Sequence, residues 1–450
     1  VKRRLGNVDD YYHSVVLDNK LCKGCTNCIK KCPTEAIRVR NGKAIIINEK
    51  CIDCGECLRT CPYKAKIAQT DTWDDLSKFK YRIALPAPSL YMQFANAPSK
   101  EHVIKALQML GFDYVYEVAR GAEIVTSITN KILKTESYQR PVISSACPAV
   151  VKLIQLNYPN LIPNLLKIKS PMEMAAINAK KEFCEEHNVS PSEVGVFFIS
   201  PCAAKMTAVK SPIGISKSNV DGVLSIKTVY FRIFKQLAKI KDEELPDSNQ
   251  AGYKGVRWAA DGGEAVALNT EKILAVDGIH NVIKIFEELE NDSIEDVDFI
   301  EASACTGGCL GGPLAVENMF VATARTKKFK ESLPSHGLSI ADSEMEEYEF
   351  DCPIIHKDVT KLDTDISEAM RKYDRMVSLC DELPALDCGA CGAPSCKALA
   401  EDIVRGIADI TDCIFVLRRK VRKLAEEMMA LESRMPPVIG EENNKKDGDI

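Results

Sequence analysis

The chain has 450 residues, 46% of them hydrophobic, with 59 Lys and Arg against 64 Asp and Glu, for a formal charge of −5. That length predicts two to four domains around a sizeable core, and the negative balance argues against a nucleic-acid surface. No apolar run reaches membrane-spanning length, and Val1-Lys-Arg-Arg-Leu-Gly-Asn shows no signal region, so a cytoplasmic protein without a membrane partner is expected.

Nineteen cysteines in such a chain favour metal over disulfides. The first predicted element is a β-prone stretch, Ser14-Val-Val-Leu17. It is followed by Cys22-x-x-Cys25-x-x-Cys28-x-x-x-Cys32-Pro33, which recurs as Cys51-x-x-Cys54-x-x-Cys57-x-x-x-Cys61-Pro62. This is the spacing of the bacterial two-cluster ferredoxins, in which the fourth cysteine of each run ligates the other cluster. Cys22, Cys25, Cys28 and Cys61 are therefore expected on one [4Fe–4S], and Cys51, Cys54, Cys57 and Cys32 on the second. Structural zinc is the competing reading, but zinc motifs pair cysteines in twos. The expected domain, residues 1–75, is α+β.

Residues 63–78 read as a polar linker. From 79 to 380, strands at 81–87, 112–118, 141–146, 193–200 and 297–302 alternate with helices at 100–110, 121–135, 148–157, 171–187, 225–240 and 280–290. Such alternation predicts an α/β domain with largely parallel sheets. Three of the strands end in cysteine loops: Ser144-Ser-Ala146-Cys147-Pro148, Ser200-Pro201-Cys202-Ala-Ala-Lys205, and Glu301-Ala-Ser303-Ala-Cys305-Thr-Gly-Gly-Cys309-Leu-Gly-Gly-Pro313. Strand ends that deliver four cysteines to one carboxyl edge can hold a cubane cluster. The glycines of the third loop let its backbone pass close to something bulky. The competing reading is scattered core cysteines.

Residues 331–380 are acidic in places and suggest no task. Cys184, Cys352 and Cys380 fall outside any motif. Then comes Cys388-Gly-Ala-Cys391-Gly-Ala-Pro-Ser-Cys396, with Cys413 beyond a helical stretch. Over 383–415 this resembles the small helical [4Fe–4S] module of corrinoid iron–sulfur proteins, with a zinc knuckle as the alternative. Leu417, Val421, Leu424, Met428 and Leu431 then recur at spacings of four and three, a heptad-patterned helix over 416–434. It suits docking on the protein, a homodimer or a signalling partner. Residues 435–450 read as a disordered tail.

The three cysteine loops resemble the signature loops of the [FeFe]-hydrogenases, roughly T-S-C-C-P, M-P-C-x-x-K and E-x-M-x-C-x-x-G-C-x-x-G-G. The resemblance covers residues 10 to 330. It implies an H-cluster: a cubane on Cys147, Cys202, Cys305 and Cys309, bridged by Cys309 to a diiron site carrying CO, cyanide and an azadithiolate. It implies that Lys205 binds a cyanide through its ammonium group, and that Ala87-Pro88-Ser89 lines the same ligand. Ser200 and Ser303 stand where the family has methionines.

Other departures concern protons. Ala146 replaces the family's relay cysteine, and the family's acidic pair should fall near Ile128-Thr129, where neither residue is acidic. Glu264, in Asp261-Gly-Gly-Glu264, stands where a family segment beside the cluster is apolar. It is expected to carry protons with Glu301, a family glutamate. The plain alternatives are a glycine turn opening a helix and a structural acceptor.

The resulting expectation is a divergent [FeFe]-hydrogenase of a sensory type lacking the proton-relay cysteine. It would hold three accessory [4Fe–4S] clusters and an H-cluster, interconvert H2 with protons and electrons slowly, and exchange electrons with a ferredoxin-like or other redox partner. A homologue without the diiron site, serving iron–sulfur assembly or electron transfer, is the alternative. An electron-bifurcating subunit is a third, for which no flavin or nicotinamide motif is visible.

Overall fold

The apolar runs of the central region build two parallel sheets in the computed structural model, which describes residues 12–434 apart from 136–137, 243–244, 247–250, 335–337, 339–340 and 342–344. The expected tail, 435–450, lies outside the described residues. The chain folds as two compact units: Val1–Ile37 with Asn41–Val359, and Arg38–Arg40 with Thr360–Ile450.

In chain order the strands are β1 (Val15–Leu17), β2 (Ile37–Arg40), β3 (Lys43–Ile46), β4 (Lys66–Ala68), β5 (Tyr81–Pro86), β6 (Tyr114–Val115), β7 (Val142–Ile143), β8 (Val194–Ser200), β9 (Gly222–Ser225), β10 (Ile273–Asp277) and β11 (Phe299–Ser303). One sheet has the order β6-β5-β8-β9 and the other β10-β11-β7, with every pairing in both parallel. Parallel strands are covered on both faces, so they read as continuous apolar runs. In β8 all seven residues are buried.

Alternate side chains separate to the two faces of the first sheet. Ile83, Leu85, Val196 and Phe198 pack with Met172, Ala175 and Phe183 of helix Pro171–His187. Ala84 and Phe197 face the other way, onto Val103 and Leu107 of helix Lys100–Met109 and Val229 and Ile233 of helix Ile226–Leu237. The second sheet repeats the scheme. Ile300 and Ala302 meet Val150, Ile154 and Phe286 from helices Pro148–Asn157 and Ile279–Glu290, while Phe299 and Val142 meet Ile124 and Val125 of helix Val118–Ile132. A fully buried Phe of this kind contributes roughly 1.5–3 kcal/mol. The strand expected over 112–118 is only two residues long, because helix Val118–Ile132 starts a turn early. The sequence reading missed β9 and β10, which are too short to show a period.

At the N-terminus β1 pairs antiparallel with β4, from Val15↔Ala68 to Leu17↔Lys66. The stretch 63–78 is therefore not a plain linker. It carries β4 and a 3₁₀ turn, Trp73–Lys78, with a capping box between Thr72 and Asp75. Buried Ala65 and Leu76 anchor it, and Lys66 is buried with them.

In the second unit, Met376 and Leu379 of helix Ile366–Glu382 pack on Ala398 and Leu399 of helix Cys396–Val404. Arg38 Nε and Arg40 Nη2 each lie 2.7 Å from the buried carboxylate of Asp402. The heptad stretch forms helix Ile414–Glu432, whose seam is open: Leu417 is 44% exposed, Leu424 57% and Met428 67%. Among the described residues no helix is long and apolar enough to cross a membrane.

Candidate cluster site

Four strand ends converge on one cavity. β7 leads to Cys147, the N-cap of helix Pro148–Asn157, and β8 to Cys202, the N-cap of helix Ala203–Lys210. β11 leads to Cys305, and Cys309 follows in the 3₁₀ turn Gly308–Gly311. β5 ends at Ala87-Pro88-Ser89. The cavity and its mouth enclose about 930 Å³, lined by all four cysteines and by Ala87, Pro88, Ser89, Ala146, Lys205, Glu264, Glu301 and Ser303. Ser200 is outside the lining. Its hydroxyl donates to Cys202 O (3.0 Å) and accepts from Cys202 N (3.0 Å), and so shapes the loop instead. Ile128 and Thr129 are buried in their helix away from the cavity, and the Thr129 hydroxyl donates to Val125 O.

The third loop's glycines serve close contact between backbones more than an open approach to a bound group. A Cβ at Gly312 would stand 2.5 Å from Pro201 O, which locks the third loop onto the second. One at Gly311 would stand 1.9 Å from Thr306 O of its own loop.

The electrostatics suit a cationic guest. Burial, then the neighbouring Cys305, Cys147 and Cys309, push the Cys202 thiol far up. Burial, then Cys305 and Cys147, push Cys309 up to about 12. Cys309 is exposed and lines the cavity. Cysteine binds metal as the thiolate, and bound metal stabilises that form. Beyond the sulfurs, Lys205 Nζ donates to Ala146 O (3.1 Å), and Ser89 Oγ is buried without a partner. The donor set thus fits a cubane, and the space beyond it fits a group that presents acceptors.

The acids form a row. Ser144 Oγ donates to Glu264 Oε2 at 2.6 Å and accepts from Ala146 N at 3.3 Å. Glu264 Oε1 is buried and unpartnered. Burial, then the charge of Glu301, holds the Glu264 carboxyl well above its ordinary range. Burial pushes Glu301 up to about 7, although Ala265 N donates to it (2.7 Å), and Asp261 adds to the rise. Asp261 itself is exposed and raised, first by burial and then by Asp277. The sequence reading missed Ser144 and Asp261. The one signal was a hydroxyl two residues before the missing thiol.

In the N-terminal segment burial raises Cys51, Cys54 and Cys57, and the nearby Cys32 adds to each rise. Asp53, between two of these cysteines, accepts from Val15 N (3.0 Å) and Thr207 Oγ1 (2.8 Å), tying this loop to β1 and to helix Ala203–Lys210. In the second unit Cys388 and Cys413 act on Cys391, and Asp387 caps Cys396 N at 2.6 Å. Cys380, which lies outside every motif, senses Cys396.

A cubane-competent cavity beside a ferredoxin-patterned segment defines an iron–sulfur redox protein. The family model for the iron-only hydrogenase large subunit, C-terminal domain, matches residues 80–271 and 235–313, more than half of the chain. A 4Fe-4S dicluster domain matches 14–62 and an Fe-S cluster segment 383–415. The chain belongs to the [FeFe]-hydrogenase family.

It is 29% identical over 267 residues to the periplasmic [Fe] hydrogenase large subunit of Nitratidesulfovibrio vulgaris, covering 55% of this chain and 63% of that one. Iron hydrogenase 1 of Clostridium pasteurianum is 26% identical over 382 residues, covering 68% and 65%. The cytosolic Fe-S cluster assembly factor NAR1 of Yarrowia lipolytica is 32% identical over 142 residues, covering 30% and 28%. The chain thus spans less than two thirds of these relatives. Among solved structures, [FeFe]-hydrogenase HydA1 from Chlamydomonas reinhardtii aligns over 60% of this chain and 88% of that one, at 17% identity and a TM-score of 0.45.

Proposed function

We propose that the protein carries three accessory [4Fe–4S] clusters and an H-cluster, and that it interconverts H2 with protons and electrons slowly, in an H2-sensing role. The supporting observation is the wall of the cavity beyond the four sulfurs. A site for a cubane alone has no use for the Lys205 ammonium and the unpartnered Ser89 hydroxyl.

Cys147, Cys202, Cys305 and Cys309 would hold the cubane, with Lys205 and Ser89 offering donors to the diiron ligands. When bound, the H-cluster supplies iron that takes up hydrogen and an amine that exchanges the first proton. Protons then pass through this chain's own acids. Glu264, with one free oxygen in the cavity and the other on Ser144, hands them to Glu301, and exposed Asp261 passes them to solvent. Turnover is slow because Ala146 has no exchangeable proton and the 128–129 positions are not acidic. Electrons arrive from a ferredoxin-like partner through the accessory clusters. The open seam of helix Ile414–Glu432 gives a homodimer or a signalling partner its surface, and the thiol-rich composition suits a reducing cytoplasm.

The similarity to NAR1 favours a second reading, a cubane without diiron serving iron–sulfur assembly or electron transfer. Infrared spectroscopy of protein matured with the diiron cofactor separates the two. CO and cyanide bands on iron are expected, and their absence at full cubane loading removes the hydrogenase reading.

A further inference from the structure

The second ferredoxin loop continues as Gly55-Glu56-Cys57-Leu58-Arg59-Thr60-Cys61, and its helix, Glu56–Thr60, sets Glu56 and Arg59 as an i,i+3 ion pair. The helix starts at Gly55 with φ +81, and a Cβ there would stand 2.5 Å from Pro313 Cγ. The ferredoxin loop therefore rests directly on the end of the third cysteine loop. Arg59 Nη2 reaches across and donates to Gly311 O at 2.8 Å. Gly311 stands two residues beyond Cys309, in the loop that also carries Cys305. From another element, Lys227 Nζ donates to Pro313 O at 2.9 Å. Ile52 and Cys54 share an apolar cluster with Cys147 and Cys202. Arg59 thus joins the second ferredoxin run to the loop that carries Cys305 and Cys309.

We infer that Arg59 is a tuning residue at this junction, where its guanidinium, opposed by Glu56, sets the reduction potential of the cubane held by Cys147, Cys202, Cys305 and Cys309. The inference rests on the part of the proposed function that places a cubane there, and not on the diiron site. Reduction adds one negative charge to a cluster. A fixed cation held against a ligand loop stabilises the reduced form, and a carboxylate nearby destabilises it. The side chains of Arg59 and Glu56 are only 28% and 21% exposed, so solvent screens them incompletely. Arginine keeps its charge at every accessible pH.

The test uses the full chain reconstituted with iron and sulfide, without the diiron cofactor, and an EPR-monitored redox titration of each cluster. Arg59→Gln is expected to shift the cubane's reduction equilibrium about tenfold toward the oxidised form, ~59 mV more negative for one electron. Glu56→Gln is expected to shift it the other way. Arg59→Lys, which keeps the charge but not the planar fork, should recover most of the wild-type value. The cluster of Cys388, Cys391, Cys396 and Cys413 should not move. A cubane potential unchanged in both charge variants overturns the inference. So does a shift of the same sign in both, which marks disturbed packing and not charge. Should Arg59→Gln fail to load, Glu56→Gln decides alone by its sign. A wild type with the cubane signal but no CO or cyanide bands after maturation removes the hydrogenase reading and leaves this inference standing.

Discussion

Eight cysteines of the N-terminal segment lie between residues 22 and 61, whereas the four of the cavity are spread from 147 to 309 and come from three strand ends in two sheets. In the first region backbone amides of the same segment serve the sulfurs. Ala36 N donates to Cys32 Sγ (3.2 Å), Ala65 N to Cys61 Sγ (3.3 Å) and Ala44 N to Cys22 Sγ (3.4 Å). In the second, the surrounding groups are gathered from separate parts of the chain: Lys205 from beside Cys202, Glu264 from a separate turn, and Arg59 of the ferredoxin loop on Gly311 O. A local site can be lost without its neighbours. An assembled site depends on the sheets and on every loop that reaches it.

The largest effect should come from the assembled site. Cys305→Ser is expected to reduce H2 turnover to background and to remove about four iron atoms per chain, while the N-terminal clusters keep their EPR signals. Cys25→Ala, at an exposed position, should remove one accessory cluster and spare the cavity. Loss of all iron in either variant would mean that the two regions are not independent.

Next in size are the acids. Glu264→Gln and Glu301→Gln keep shape and hydrogen bonding but cannot pass a proton. Each should lower H2 turnover by roughly 10²- to 10⁴-fold with normal infrared bands. The pH dependence has a definite sign. Glu301, raised to about 7 by burial, holds its proton below that pH and loses it above. Wild-type H2 evolution should therefore fall as pH rises through about 7, and Glu301→Gln should lose that inflection. A full rate and an unchanged profile in both variants would make these acids structural.

A smaller effect tests the packing of one loop on another. Gly312 has φ −56, an ordinary value, so its need is space alone. Gly312→Ala sets a methyl 2.5 Å from Pro201 O and should cost about 1–3 kcal/mol by thermal unfolding. A neutral result would mean that the second and third loops separate easily.

The same contrast explains what the sequence could disclose. The ferredoxin runs were legible because spacing within a few residues decides which sulfurs share a cluster. β5 and β8 were legible because parallel strands covered on both faces write long apolar runs. Residues 63–78 were misread because a three-residue strand and a 3₁₀ turn need only a few apolar anchors, Ala65 and Leu76 among them. Ser144 beside Glu264 is a contact across 120 residues, and Arg59 on Gly311 one across 252. No periodicity encodes either, since each exists only once the sheets have set their loops side by side.

The least effect is expected from restoring the thiol at position 146, and its size is informative. Ala146 lines the cavity, and its amide donates to Ser144 Oγ at 3.3 Å. A cysteine there regains an exchangeable proton at the cavity wall, but the 128–129 positions that would continue the family's route are not acidic and do not line the cavity. The new thiol therefore has one local outlet, the Ser144 hydroxyl and through it Glu264. Ala146→Cys should raise H2 evolution less than about tenfold at matched cofactor loading, well short of the full range for a positioned acid–base group. In the double variant Ala146→Cys/Glu264→Gln the gain should vanish, because the thiol then feeds a carboxamide. A gain that survives the second substitution would show a proton exit independent of Glu264, and the row of acids would cease to be the route.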